Sequence, residues 1–204
     1  MEFVWVVGLS AVGKQTFVRR VLSGPDAVGL RRDLGLSLVD GAVIARGSGF
    51  GVPDAQFTVA GLVTDPEVGR ASHVLIKYQN CYDEERGSLD VLATLAQHPR
   101  ARLAEHRIIA IWADPEMHVD WYMGKHGDRP EMSEDGVVQA MREEPPNRAK
   151  AEAHLAGCWR DLWHRAQAVQ ARFGAEGRVI LVEALDAGRD YLPIRVGPGE
   201  QVEG

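Results

Sequence analysis

Four short apolar runs stand out along the chain, and each is bounded by polar residues or by glycine. Runs of this kind, rich in β-branched and aromatic side chains, are typical of strands buried on both faces of a parallel sheet. We predict such strands at residues 2–7, 73–78, 107–113 and 178–183. Apolar positions three and four residues apart predict helices at residues 15–22, at 84–97, from 114 onward and at 149–173. Strands that alternate with helices predict an α/β fold, with three layers and a parallel sheet between helices.

Two other regions are harder to interpret. Between residues 27 and 72 the pattern allows a strand that ends near Asp33 or one that ends at Asp40, a loop at 47–53 and a further strand at 56–63. Residues 124–146 are polar, charged and interrupted by glycine and proline, which predicts an excursion from the core. Few apolar side chains are present there to hold the segment, so we predict that residues 124–148 form a mobile lid.

The composition narrows the class of protein. The chain has 204 residues, of which 45% are hydrophobic and 25% charged, as in soluble globular domains. This length buries a core without disulfides or metals, and we expect one domain. The formal net charge of −6 argues against a general polyanion binder, although a local basic groove is compatible with it. Two distant cysteines, Cys81 and Cys158, indicate a reducing compartment. No run approaches the roughly 20 apolar residues of a membrane span, so we expect a cytoplasmic protein that does not engage a membrane.

The clearest chemical signal lies between the first predicted strand and the first predicted helix. The segment has the form G-x-x-x-x-G-K followed by Q-T. Glycines at both ends let the backbone approach a phosphate, successive N–H groups form an anion-binding nest, and the helix start adds positive potential. Lys14 adds a mobile charge for the β- and γ-phosphates. The predicted nucleotide-binding residues of this segment are Gly8, Ser10, Ala11, Val12, Gly13, Lys14, Gln15 and Thr16.

The G-K-x-T spacing resembles that of P-loop kinases of the nucleoside-monophosphate-kinase (adenylate-kinase-like) group, which read G-K-G-T there. The resemblance implies a three-layer P-loop NTPase fold, ATP as phosphate donor and Mg²⁺ as cofactor. Gln15 stands where P-loop proteins usually carry the hydroxyl ligand of magnesium. Either Thr16 serves in its place, or magnesium is held through water and carboxylates.

The same resemblance extends to the strand at 107–113 and the residues after it. In that kinase group, basic residues after this strand cover the triphosphate. The matching residues are Lys125, Arg129, Arg142 and Arg148. Among them we predict that Arg129 takes part in catalysis and that Arg142 and Arg148 bind the nucleotide.

The phosphate acceptor is the open question. A carboxylate usually orients a hydroxyl acceptor or takes its proton, and Asp33 and Asp40 are the two candidates. A nucleotide or small hydroxyl compound fits the acidic net charge. A modified base in DNA is the alternative, as for phage-type kinases that phosphorylate 5-hydroxymethyluracil, with Arg19, Arg20, Arg31 and Arg32 available for its backbone. A GTPase-like regulatory module fits less well, because no N/T-K-x-D motif follows a core strand.

Overall fold

The computed structural model describes residues 1–36, 42–47, 50, 59–77, 97–99, 104–173 and 179–194. Within these ranges the strands are β1 Glu2–Gly8, β2 Ala42–Gly47, β3 Ala71–Lys77, β4 Glu105–Trp112, β5 Ile180–Leu185 and β6 Asp190–Ile194. The helices are α1 Lys14–Ser23, α2 Ala27–Asp33, α3 Val59–Thr64, α4 Pro115–His126, α5 Gly136–Arg142 and α6 Arg148–Gln170. Short 3-10 turns occupy Val68–Arg70, Pro130–Met132, Ala171–Phe173 and Asp186–Gly188.

The strands form one sheet in the order β2-β3-β1-β4-β5-β6. All neighbouring pairs are parallel except β5 and β6, which are antiparallel. The four predicted core strands and the helices predicted at 15–22, from 114 and at 149–173 are confirmed, with boundaries that shift by a few residues. The α/β class and the mostly parallel sheet are confirmed as well. Strand β6 was not predicted; its Pro193 is tolerated because β6 is an edge strand.

Strand β1 is apolar on both sides, and helices cover both faces of the sheet. All seven residues of β1 are buried. Phe3 and Trp5 belong to one core, which they share with residues of α4, α5 and α6. Val4 and Val6 point the other way and join residues of α1 and α2. Strand β1 therefore lies in the centre of the molecule. The residues that follow it lie at the carboxyl ends of the parallel strands, near the middle of the sheet.

The region after α1 differs from the sequence prediction. Residues 27–33 form helix α2, so the predicted strand ending near Asp33 is wrong. The buried residues Ala27, Leu30 and Leu34 are spaced by three and four, which is a helical period that a short apolar run can hide. Asp40 and the strand predicted to end there lie outside the described residues, apart from the turn at 34–36.

Three further predictions between residues 47 and 97 have different outcomes. The strand predicted at 56–63 is wrong over residues 59–63, which belong to helix α3. Residues 56–58 and most of the predicted loop at 47–53 lie outside the described residues. So do residue 78 of the strand predicted at 73–78 and the helix predicted at 84–97 except for Gln97.

The segment 124–148 is packed against the core in its second half. Val137, Val138 and Ala140 of α5 are fully buried, in the cluster that contains Trp159 of α6. The prediction that few apolar side chains hold this segment is therefore wrong. Motion of residues 124–148 as a lid stays a prediction.

A polar contact strengthens the same packing. The Asp135 carboxylate caps α5 by accepting hydrogen bonds from the N–H groups of Val137 and Val138. Its other oxygen accepts a hydrogen bond from the Tyr122 hydroxyl of α4, at 2.8 Å. One side chain thus joins two helices. In the described part of the chain, no helix has the length and apolar character needed to cross a membrane.

Candidate functional site

The loop between β1 and α1 has the backbone shape that the sequence pattern predicts. Ala11 and Gly13 have positive φ angles of 66° and 83°, and residues in this left-handed conformation recur in backbone nests that bind anions. Glycine is required at both ends of the loop. A Cβ atom on Gly8 would lie 2.7 Å from the Ile111 carbonyl oxygen, and one on Gly13 would lie 2.8 Å from the Tyr191 hydroxyl. The loop is therefore a tight backbone turn that leads directly into a ten-residue helix.

Lys14 is folded over this loop. Its side chain is buried, and its Nζ atom donates hydrogen bonds to the carbonyl oxygens of Gly8 and Leu9, both at 2.7 Å. The ammonium group therefore lies beside the first two residues of the loop. The role of Lys14 in phosphate binding stays a prediction.

Tyr191 of β6 braces the far end of the loop, and sequence reasoning missed it. Its hydroxyl oxygen lies 2.8 Å from the Gly13 carbonyl oxygen and 2.5 Å from that of Gly188. Burial raises the pKa of Tyr191 to about 12, and a hydrogen bond with the Thr16 side chain opposes this shift. Tyr191 therefore stays protonated and acts as a hydrogen-bond donor to the loop. No local signal in the sequence pointed to it, because β6 pairs with β5 far from the loop in the chain.

Helix α4 contacts the middle of the loop through Ser10. His118 Nε2 lies 2.7 Å from the Ser10 carbonyl oxygen, while His126 Nε2 lies 2.8 Å and Lys125 Nζ 3.1 Å from the Ser10 hydroxyl oxygen. Residues 118, 125 and 126 share one side of the helix because seven residues make about two turns. The i, i+7, i+8 spacing of these three polar residues was the available sequence signal.

Burial sets the protonation state of the two histidines. Burial lowers the pKa of His118 to about 4, so the ring is neutral at pH 7 and Nε2 donates its proton to the Ser10 carbonyl oxygen. Burial also lowers the pKa of His126, and the charges of Lys125 and Arg129 lower it further. Both rings are therefore uncharged beside the loop.

Lys125 and Arg129 add positive charge next to Ser10. Burial lowers the pKa of Lys125, and the nearby Arg129 guanidinium lowers it further. Arg129 is exposed, three residues beyond the end of the helix that carries Lys125. Lys14 and Lys125 thus both contact the loop, and Arg129 lies near Lys125. The sequence prediction for Arg129 is compatible with this placement.

The two other arginines predicted to bind nucleotide are engaged elsewhere. Arg142 donates a hydrogen bond to the Gly127 carbonyl oxygen. Arg148 forms a salt bridge with Asp120 at 2.7 Å and another with Glu152 at 3.1 Å. Residue 120 lies on roughly the opposite side of α4 from His118, since two residues turn a helix by about 200°. The structure therefore places Arg148 between α4 and α6 and does not bring it to the loop.

Asp33 is also remote from the loop. It is exposed at the end of α2, beside Arg32. The residues that follow it, Leu34 and Gly35, accept hydrogen bonds from Arg107, which itself pairs with Glu2 at the beginning of β1. Asp33 thus lies near the amino-terminal end of β1, and the structure does not bring it to the loop. Its role as the acceptor carboxylate stays a prediction. Asp40 lies outside the described residues.

Gln15 and Thr16 follow Lys14, and magnesium binding through Thr16 stays a prediction. Gln15 is half-buried and Thr16 is exposed on the first turn of α1. Thr16 is also the residue whose side chain is hydrogen-bonded to Tyr191. A hydroxyl in this position fits a hard cation, which prefers oxygen ligands and keeps several waters.

Comparison with known proteins adds no further constraint. No protein-family model matches the chain, and no curated protein matches it at a significant level. The site geometry and the order of the strands therefore carry the functional argument.

Proposed function

We propose that this protein is an ATP-dependent P-loop kinase that transfers the γ-phosphoryl group to a nucleotide or small hydroxyl acceptor. The observation that carries the proposal is the loop at residues 8–13, which turns through the positive φ angles of Ala11 and Gly13 into the start of α1 and has the Lys14 ammonium folded over it. This arrangement fits a polyphosphate better than any neutral ligand, because it combines a backbone nest with a helix N-terminus and a cation.

The three-layer P-loop NTPase fold belongs to the same proposal. Strand β1, which leads into the loop, lies between β3 and β4. In open α/β sheets, ligands bind at the carboxyl ends of the strands, where the order of the strands reverses. After β1 the chain forms β2 and β3 on one side of β1 and then crosses to β4 on the other side, so the loop stands at such a position. The likeness to nucleoside monophosphate kinases rests on these features and on the G-K-x-T spacing.

Each group at the loop has a task in phosphoryl transfer. The N–H groups of residues 9–14 and the Lys14 ammonium would hold the β- and γ-phosphates, while Lys125 and Arg129 offset the charge on the outer oxygens. Thr16 would hold magnesium together with water, and the bound Mg²⁺ supplies further charge neutralisation. Such chemistry needs positioning and positive charge more than a covalent intermediate.

The structure gives less support to DNA as the acceptor. Of the four arginines available for a DNA backbone, Arg20 is paired with Asp26 and Asp190. Arg31 donates both of its hydrogen bonds to the carbonyl oxygens that end α1. Only Arg19 and Arg32 are exposed in this group. We therefore favour a small acceptor over a modified base in DNA.

Substitution of Lys14 tests the proposal. Lys14→Met keeps most of the aliphatic stem and removes the charge, so we expect an intact fold and a loss of phosphoryl transfer of about 100-fold or more. Turnover of Mg-ATP would be measured with nucleotides, small hydroxyl compounds and DNA containing 5-hydroxymethyluracil. Lys150→Met is the matched control, because Lys150 lies on the surface of α6 in a salt bridge with Glu143. A folded Lys14→Met variant with full turnover contradicts the proposal, as does wild-type protein that does not bind Mg-ATP.

A further inference from the structure

The hydrogen bond between His118 and the loop has a fixed direction. The Nε2 atom of His118 lies 2.7 Å from the Ser10 carbonyl oxygen, and a carbonyl oxygen only accepts hydrogen bonds. Burial lowers the pKa of His118 to about 4, with a smaller contribution from the Lys14 charge and against the effect of the Ser10 hydrogen bond. The ring is therefore neutral at pH 7 and carries its single proton on Nε2, which donates it to the loop.

This hydrogen bond fixes the orientation of one peptide group of the loop. The Ser10 carbonyl and the Ala11 N–H belong to the same trans peptide, in which the C=O and N–H groups point in opposite directions. The Ala11 N–H therefore points away from the His118 ring. Among the residues that the structure describes, the Ser10 carbonyl accepts no other hydrogen bond and the Ala11 N–H donates none. His118 thus sets the direction of a backbone donor that the fold itself does not use.

The backbone at Ala11 needs such a support. Its φ angle of 66° is one that residues other than glycine rarely adopt. Rotation of the Ser10–Ala11 peptide would bring this angle back to a negative value, but it would also turn the carbonyl away from His118. Ser10 is buried, and a buried carbonyl group that loses its partner costs free energy. The hydrogen bond from His118 therefore opposes the rotation that would relieve the strain.

The side chain of Ser10 is held by the same helix. Its hydroxyl oxygen lies 2.8 Å from His126 Nε2 and 3.1 Å from Lys125 Nζ. Helix α4 thus contacts both the main chain and the side chain of Ser10. The loop residue that precedes Ala11 is therefore fixed at two points by one element.

We propose that His118 is a positioning residue of the phosphate-binding loop, which holds the Ser10–Ala11 peptide so that the Ala11 N–H donates to an oxygen of the bound phosphate. This inference rests on the proposed kinase function and adds to it a part for α4 in the orientation of a backbone donor. His118 itself touches no phosphate in this arrangement and acts through the peptide. A phosphate oxygen is a charged acceptor, and hydrogen bonds to charged groups are about twice as strong as neutral ones.

Two amide substitutions of His118 test the role of its hydrogen bond. The amide nitrogen of glutamine reaches about as far from Cβ as His118 Nε2 does, whereas asparagine is one methylene shorter. The probes are inorganic pyrophosphate and Mg-ATP, titrated by calorimetry. We expect His118→Asn to weaken the binding of both by about tenfold, as for the loss of one hydrogen bond to a charged group. His118→Gln should recover most of this affinity. His164→Asn, on the exposed surface of α6, is the matched control and should bind as wild type does.

Backbone NMR separates positioning from a purely structural role. Saturating pyrophosphate should move the Ala11 amide proton of the wild type downfield, because a phosphate oxygen becomes its acceptor. The same shift is expected in His118→Gln and a smaller one in His118→Asn. A histidine with only a structural role would affect the free energy of unfolding in urea and leave the Kd of the folded variant unchanged.

The outcomes distinguish this inference from the proposed function. Equal affinities of the wild type and folded His118→Asn overturn the positioning role. An Ala11 amide that pyrophosphate does not move in the wild type overturns it too, and this measurement decides the matter even where the asparagine variant does not fold. In both cases, binding and turnover of Mg-ATP by the wild type leave the kinase proposal standing. Wild-type protein that binds neither pyrophosphate nor Mg-ATP overturns the kinase proposal and this inference together.

Discussion

Ala11 occupies a backbone conformation that suits glycine better than alanine. Its φ angle is 66°, in the left-handed region, where a Cβ atom crowds the backbone. Ala11 is therefore a strained residue at the site where phosphate is proposed to bind. Strained residues in other proteins also cluster at functional sites.

Ala11→Gly should stabilise the protein. Relief of the left-handed strain outweighs the greater freedom of glycine in the unfolded chain, so we expect a gain of about 0.5–1 kcal/mol in the free energy of unfolding. Urea denaturation followed by circular dichroism gives the value. Ala153→Gly is the matched control, since Ala153 is exposed in the middle of α6 and glycine there should cost about 1 kcal/mol. A loss of stability in both variants would show that Ala11 is not strained.

At the scale of the elements, Gln170 joins the longest helix to the sheet. Its side-chain oxygen accepts a hydrogen bond from the Ile108 N–H group at 2.9 Å, and its amide nitrogen donates to the His106 carbonyl oxygen at 3.0 Å. The pairing of β4 with β5 begins only at Ile109. The glutamine amide therefore takes the place of a neighbouring strand for the first part of β4, and it is buried in doing so.

Gln170→Leu should destabilise the protein strongly for a single polar substitution. Leucine fits the volume but leaves a buried N–H and a buried C=O without partners, which costs about 1–3 kcal/mol for each group that water does not reach. Thermal unfolding should show a clear drop in Tm. Gln167→Leu, three residues earlier on the exposed face of α6, should change the stability by less than about 0.5 kcal/mol. Equal effects of the two substitutions would mean that the side-chain bridge contributes nothing.

The elements differ in how well their sequences predict them. Strands β1, β3, β4 and β5 are buried on both faces, so each appears in the sequence as a continuous apolar run that predicts a strand. Helices α2 and α3 are only seven and six residues long, too short for their period to show. Val137 and Val138 are buried because they pack with residues of α6, and the local composition does not predict this contact. In the site, the spacing of Gly8, Gly13 and Lys14 indicates the loop, whereas Tyr191 and the α4 histidines depend on tertiary contacts.

At the scale of the whole molecule, the two edges of the sheet carry different chemistry. The loop lies at the carboxyl ends of the parallel strands. At the opposite edge, the buried Glu2 carboxylate lies 2.7 Å from Arg107 Nε and 3.3 Å from His73 Nε2. Burial raises the pKa of Glu2 and lowers that of His73. Neutral histidines thus stabilise both ends of the parallel strands. We therefore expect the free energy of unfolding to depend on pH in the acid range.

Acid should destabilise the wild-type protein in part through His118. Its pKa is about 4 in the folded state, against 6.5 for an ordinary histidine. Between these values the unfolded chain binds a proton that the folded chain does not, so the free energy of unfolding falls as the pH falls. The loss is at most about 1.4 kcal/mol per pH unit for one group. Urea denaturation from pH 7 to pH 4 should give a smaller slope for His118→Gln than for wild type. Identical slopes would mean that His118 titrates normally in the folded protein.

The brace from Tyr191 to Gly13 has a consequence for the order of synthesis. The two residues are 178 positions apart, and Tyr191 belongs to β6, the last described strand. A ribosome therefore delivers the loop well before Tyr191, and contacts between distant residues form slowly because the intervening chain must be ordered. The nascent chain carries the complete sequence of the loop long before Tyr191 can support it. The proposed nucleotide binding should therefore arise only after β6 has been synthesised and has docked against β5.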